Sequence, residues 1–189
     1  MKSPQTKPRR DPEILKRKKG LILIYTGDGK GKTTAALGAA FRSLGWGMKV
    51  AMIQFIKGSW KYGELESAKK FPNFEIIQCG EGFTWDTQNQ ARDKKRVDDA
   101  WRLCERKIKS DRYDVLIFDE INYVIDYGYL DDQKVIQALK KKPARLHVIL
   151  TGRSAKRSLA QIADLVTEMK EIKHPFRDQK IPAQKGIDF

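Results

Sequence analysis

Six short apolar runs punctuate the chain: Leu21–Tyr25, Met48–Phe55, Phe74–Cys79, Val115–Phe118 within Asp114–Glu120, Arg145–Thr151 and Val166–Ile172. Leu21–Tyr25 and Val115–Phe118 are continuous rather than alternating, as is the middle of Met48–Phe55. That is the pattern of strands covered on both faces. The stretches between them carry helical spacing. Residues 32–44 are rich in Ala and Leu, and a short helix is predicted up to about Lys70. Val97, Ala100/Trp101, Cys104 and Ile108 recur at turns of a long helix opened by Asp86–Gln90, where Thr87 and Gln90 are spaced as a capping box. Asp131 and Asp132 start another helix that ends in Lys140–Lys142, each charge at the favourable end of the helix dipole. A last helix is predicted over about 154–165. Strands alternating with helices predict a three-layer α/β fold with a mainly parallel sheet of about six strands. The tyrosine-rich run 121–130 reads first as core packing, with an interface helix or a nucleobase platform as the functional alternatives. The tail from Lys173, holding Pro175 and Pro182, reads as irregular.

Residues 1–19 stand apart. Pro4, Pro8 and Pro12 and few apolar side chains predict an arm, with a short helix from Pro12 to Lys19. It is either a solvated tail or a flap that orders over a ligand. Residues 20–189 are long enough for one domain with a substantial core. No run approaches a membrane span and no secretory signal opens the chain, so the expectation is a cytoplasmic protein. Cys79 and Cys104 lack metal-type spacing and read as packing residues. The net charge of +14 raises the question of nucleic acid. Eight basic residues against two acidic ones fall in the first twenty positions, and the rest of the excess is diffuse. Such a surplus suits an anionic small substrate equally well.

The chemistry concentrates after the first strand, at Gly27-Asp28-Gly29-Lys30-Gly31-Lys32-Thr33-Thr34. Three glycines between a strand and a helix let backbone N–H groups turn onto an oligophosphate, to which the helix N-terminus adds its dipole. Lys32 is placed to meet the phosphates and Thr33 to ligate Mg²⁺. Thr26 stands where the generic phosphate-loop pattern has its first glycine. The fourth strand ends in Asp119-Glu120, the acid-tipped apolar strand that holds Mg²⁺ in nucleotide-binding sheets. Arg153, just past the fifth strand, is within reach of a triphosphate. Phe83 and Trp85 sit in a Gly-bracketed loop where α/β sheets present ligands, with core anchoring as the bland alternative. A phosphate loop specifies nucleotide, not reaction.

From Leu21 onward the sequence resembles the P-loop ATP:corrinoid adenosyltransferases of the CobA/BtuR/CobO type, which places the sheet among the P-loop NTPase-like (RecA-like) folds. The resemblance rests on Thr26–Thr34, Gln54-Phe-Ile-Lys-Gly58, Gly63-Glu64, Gly82-Phe-Thr-Trp85 with Thr87-Gln-Asn89, Asp119-Glu120, Thr151-Gly-Arg153, Ala163-Asp164 with Val166, Glu168, Lys173-His174 and Gly186-Ile-Asp-Phe189. Thr26 is the family's own form of the loop. Phe189 departs from the Tyr expected at the last position. The resemblance implies transfer of the 5′-deoxyadenosyl group of ATP to the Co(I) of a corrinoid (cobalamin, cobinamide or cobyrinic acid a,c-diamide), with release of triphosphate. It also implies ATP lying reversed in the loop, so that C5′ rather than the γ-phosphate meets the nucleophile. Residues 27–34 and Arg153 would then bind ATP, and Thr33, Asp119 and Glu120 would hold Mg²⁺ or Mn²⁺. Lys32 and Glu120 would act at the reaction centre. Phe83 and Trp85 would crowd the lower corrin face and expel the ligand that keeps Co(II) hard to reduce. The further implications are a homodimer, an arm folding over the corrin, and electrons from a reduced flavin or flavodoxin-like protein. Membrane and nucleic-acid partners are not expected. The competing reading is a nucleic-acid-stimulated P-loop ATPase, and a third is a regulatory ATP-binding module without chemistry.

Overall fold

In the computed structural model, which describes residues 19–58, 61–80 and 90–189, the apolar runs become β1 (Ile22–Thr26), β2 (Val50–Gln54), β3 (Phe74–Gln78), β4 (Val115–Asp119), β5 (His147–Thr151) and β6 (Leu165–Glu168). They form one sheet in the order β3-β2-β4-β5-β1-β6, and every pairing is parallel. The helices are α1 (Lys32–Gly45), α2 (Gly63–Ala68), α3 (Gln90–Lys109), α4 (Ile121–Asp126), α5 (Asp132–Lys140), α6 (Arg157–Ile162) and α7 (Pro175–Gln179).

Two cores flank the sheet because adjacent strand residues face opposite ways. On one side Val50, Met52, Val115, Ile117 and Ile149 meet Ala36, Ala40 and Leu44 of α1. On the other, Ala51, Ile53, Leu116, Phe118, Val148 and Leu150 meet Val97, Ala100, Trp101, Cys104 and Ile108 of α3, together with apolar residues of α4, α5 and α6. β2 and β4 are buried at every position, as their unbroken apolar character requires. The edge strand β6 is exposed throughout.

Several sequence expectations change. α3 is described from Gln90, so its predicted Thr87 cap lies outside the described residues, as do arm residues 1–18. The tail is not wholly irregular: α7 begins at Pro175, with the His174 ring nitrogen accepting from the Phe176 and Arg177 amides. In the tyrosine-rich run the core positions are Ile121, Val124, Ile125 and Leu130. Tyr129 packs against that core part-buried, while Tyr123 stacks on Tyr127 at 5.9 Å between ring centres. Lys142 is not idle charge, since its Nζ donates to the Gly20 and Leu146 carbonyls at 2.7 Å each and ties the start of β1 to that of β5. No helix of the described residues is long and apolar enough to cross a membrane.

Candidate active site

All strands run the same way, so their C-terminal ends gather the loops 27–31, 55–58, 120 and 152–156 on one edge. Gly27 and Gly31 adopt φ of +94° and +108°, which side chains resist. The loop is also fastened from outside. Gly29 N donates to the Met169 carbonyl at 2.7 Å, and a Cβ on Gly29 would meet Lys170 and Met169 backbone at 2.7–2.8 Å. Chain following β6 therefore packs on the back of the phosphate loop.

Gly31 caps α1 without a side-chain partner, leaving first-turn amides for an anion. Lys32 is buried, and its Nζ donates to the carbonyls of Gly27 at 2.8 Å and Gly29 at 2.7 Å. Burial holds its ammonium below the usual lysine range; Arg153 adds to this, whereas Glu120 and Asp28 work against it. Lys30 pairs with Asp188 of the tail. Asp28 and Thr34 are exposed, and the Arg153 Nε lies 3.9 Å from an Asp28 oxygen.

The two strand-end acids differ sharply. Asp119 is fully buried, and its Oδ1 accepts from the Thr33 and Thr151 hydroxyls, each at 2.8 Å. Its Oδ2 faces Gln54 Nε2 at 3.4 Å and Lys57 Nζ at 3.5 Å. Glu120 lies beyond the strand at φ +64°, capping α4, with its N–H donating to Thr151 Oγ1 at 2.9 Å. Its Oε2 is buried with no partner among the described residues. Burial, then the neighbouring Asp119 charge, pushes the Glu120 carboxyl up to about 7, although Lys32, Lys57 and Arg153 oppose the shift. An orphaned buried carboxylate oxygen suits a small hard cation, which takes one or two protein oxygens and completes its shell with phosphate and water. Among the described residues no cluster of three or more His, Cys, Asp or Glu could hold a metal by itself.

The sequence reading attached no role to Gln54, Lys57, Glu64 or Thr151. Lys57 is largely buried and 2.7 Å from Glu64. Burial works against its charge, but Asp119 and Glu64 outweigh that cost and hold it above the usual lysine range. A signal was available: β2 ends in glutamine after four apolar residues, and parallel register sets Gln54 opposite Asp119. Phe83 and Trp85 lie outside the described residues. What is described is their loop's base, where a Cβ on Gly80 would overlap the Ile56 carbonyl and Gln78 Nε2 donates to the Gly58 carbonyl at 2.9 Å.

A family model described as ATP:corrinoid adenosyltransferase BtuR/CobO/CobP matches residues 18–189. The chain belongs to this family. It is 47% identical over 174 residues to a corrinoid adenosyltransferase of a Sinorhizobium species, covering 90% of this chain and 81% of the relative. It is 41% identical over 171 residues to the corrinoid adenosyltransferase of Escherichia coli K12, covering 90% and 86%. The chain is thus an enzyme of the adenosyltransferase class. Solved structures give the fold at lower identity. A KaiC-like protein of Pyrococcus horikoshii OT3 superposes with a TM-score of 0.50 at 18% identity, over 79% of this chain and 73% of that one. The flagellar accessory protein FlaH of Methanocaldococcus jannaschii also gives 0.50, at 16% identity over 85% and 77%. The sheet of this adenosyltransferase family member is thus of the RecA-like kind.

Proposed function

We propose that the enzyme transfers the 5′-deoxyadenosyl group of ATP to the Co(I) of a corrinoid and releases triphosphate. The observation carrying this reading is a buried phosphate-loop lysine beside a carboxylate-fixed threonine, in a chain of this family. Co(I) attacks the ribose C5′, so negative charge gathers on the departing triphosphate. The α1 amides, Lys32, Lys30 and Arg153 supply preorganised positive charge where it gathers. Lys32 exchanges the Gly27 and Gly29 carbonyls for phosphate oxygens, and Lys30 exchanges Asp188. Thr33 and Glu120 would hold Mg²⁺ or Mn²⁺, with Asp119 behind Thr33; when bound, the ion neutralises part of the leaving-group charge. Glu120 needs no water to activate, because C5′ and not phosphorus is attacked. Residues 27–29, 31 and 34 complete the ATP cradle.

Phe83 and Trp85 belong to the corrinoid face in this reading, expelling the lower ligand so that Co(II) can be reduced. Residues 1–19 form an arm over the corrin, residues 20–189 the catalytic domain, and the enzyme works as a cytoplasmic homodimer fed by a reduced flavin or flavodoxin-like donor. The test is anaerobic incubation with Mg·ATP and chemically reduced cob(I)alamin. An adenosylcobalamin spectrum with stoichiometric triphosphate is expected. ADP and phosphate without alkylation, stimulated by DNA or RNA, would replace this reading with the ATPase one.

A further inference from the structure

The phosphate loop does not account for everything that converges on Asp119. Its Oδ1 is occupied by two hydroxyl donors. On its Oδ2 side lies a second, separate constellation: the Lys57 ammonium, 3.5 Å from Asp119 and 2.7 Å from Glu64 Oε1, and 4.8 Å from the centre of the Tyr62 ring. The Gln54 amide nitrogen lies 3.3 Å from Glu64 and 3.4 Å from Asp119, while its Oε1 is buried with no partner among the described residues. Side-chain exposure of Lys57 and Glu64 is only 17% and 13%. Two carboxylates set this close in a buried place need a cation between them.

We infer that Lys57, anchored by Glu64, is a built-in cation on the Asp119 side of the site, so that Asp119 orients Thr33 while the Glu120 side alone takes a divalent ion. This rests on the cation and nucleotide site proposed above. Lys57 touches no reacting atom here and is a positioning residue. Its ammonium fills the space in which a small divalent metal would have to approach Asp119 Oδ2 and Glu64 Oε1 at about 2.0–2.1 Å. Removing it leaves three oxygens facing one another: Asp119 Oδ2, Glu64 Oε1 and, after a flip of the amide, Gln54 Oε1. A lysine in place of a second ion has a geometric consequence. A metal is exchangeable and would draw Asp119 toward itself, whereas a tethered ammonium leaves Oδ1 fixed on the Thr33 and Thr151 hydroxyls.

The experiment counts manganese by anomalous scattering in crystals grown with ATP and Mn²⁺. The wild type is expected to show no ion between Asp119 and Glu64, with Lys57 in place there. Lys57→Met is expected to gain one ion at that position, and Lys57→Arg none. A wild-type ion beside Asp119 with Lys57 displaced overturns the inference, and so does a Lys57→Met crystal without the added ion. Should Lys57→Met fail to fold, the wild-type and Lys57→Arg crystals decide: an empty Asp119–Glu64 space in both supports the inference and an ion there in either one refutes it. Adenosyl transfer is assayed alongside on the wild type. Its absence, with the expected ion pattern, would sink the proposed reaction and leave the role of Lys57 standing.

Discussion

Glu120 shows how one residue's surroundings set the chemistry available at the site. Its carboxyl is pushed up to about 7 in the folded chain, against roughly 4.3 unfolded. The native state therefore binds more protons than the unfolded state between those values, and stability falls as pH rises through that window. The cost is absent below the unfolded value and complete above about 7. Glu120→Gln removes it. In metal-free buffer the variant should gain stability over the wild type by about 2 kcal/mol more at pH 8 than at pH 5, read from denaturant unfolding at the two pH values. An equal difference at both would show that Glu120 is not held protonated. Gly80 is the other residue with a sharp expectation. It leaves no room for a side chain against Ile56, so Gly80→Ala should cost about 2 kcal/mol and shift the loop that carries Phe83 and Trp85. Urea unfolding gives the first quantity. Adenosylation of flavin-reduced corrinoid, compared with chemically reduced Co(I), gives the second, and only the flavin-driven reaction should suffer.

At the level of elements, α3 is the clearest case of pattern becoming packing. Val97, Ala100, Trp101, Cys104 and Ile108 are all at most 4% exposed, and Trp101 meets Phe118 of β4 edge to face at 6.1 Å. Trp101→Ala should cost about 3–5 kcal/mol, measurable as a lowered denaturant midpoint with unchanged slope. The central strands β2 and β4 were legible for the same reason: their unbroken apolar runs have no alternative but burial on both faces. Strand ends were less so. The strand boundaries read from the sequence run past the ladders at 145–146 and 169–172, because hydrogen-bond partners terminate a strand. The phosphate loop and the Asp119-Glu120 pair were readable because each is contiguous in sequence. The Gln54–Lys57–Glu64 group was not, since its relation to Asp119 exists only through the β2–β4 register. Nor does the sequence distinguish Asp119 from Glu120. That difference arises from one backbone angle that turns Glu120 out of the strand.

For the whole molecule, the surplus of 38 basic over 24 acidic residues matters most at a distance. Small anions in the phosphate loop would be held by local donors. A large acidic electron donor would instead be steered by the field of the entire surface. Reduction by a flavodoxin-like protein should therefore slow by about tenfold or more between 50 and 300 mM salt, while transfer to chemically reduced Co(I) changes little. Stopped-flow measurement of both rates across the same salt series checks this. Equal salt responses would locate the effect in corrinoid or ATP binding.

The fastening of the phosphate loop to the chain beyond β6 also bears on how the protein is made. The Gly29 N–H donates to the Met169 carbonyl, and among the described strands β6 pairs with β1 alone. During synthesis the glycines leave the ribosome before their outer support, which is encoded some 140 residues later. Nucleotide affinity should thus arrive late, once Met169 has cleared the exit tunnel, and ATP retention by stalled nascent chains would mark completion of the sheet.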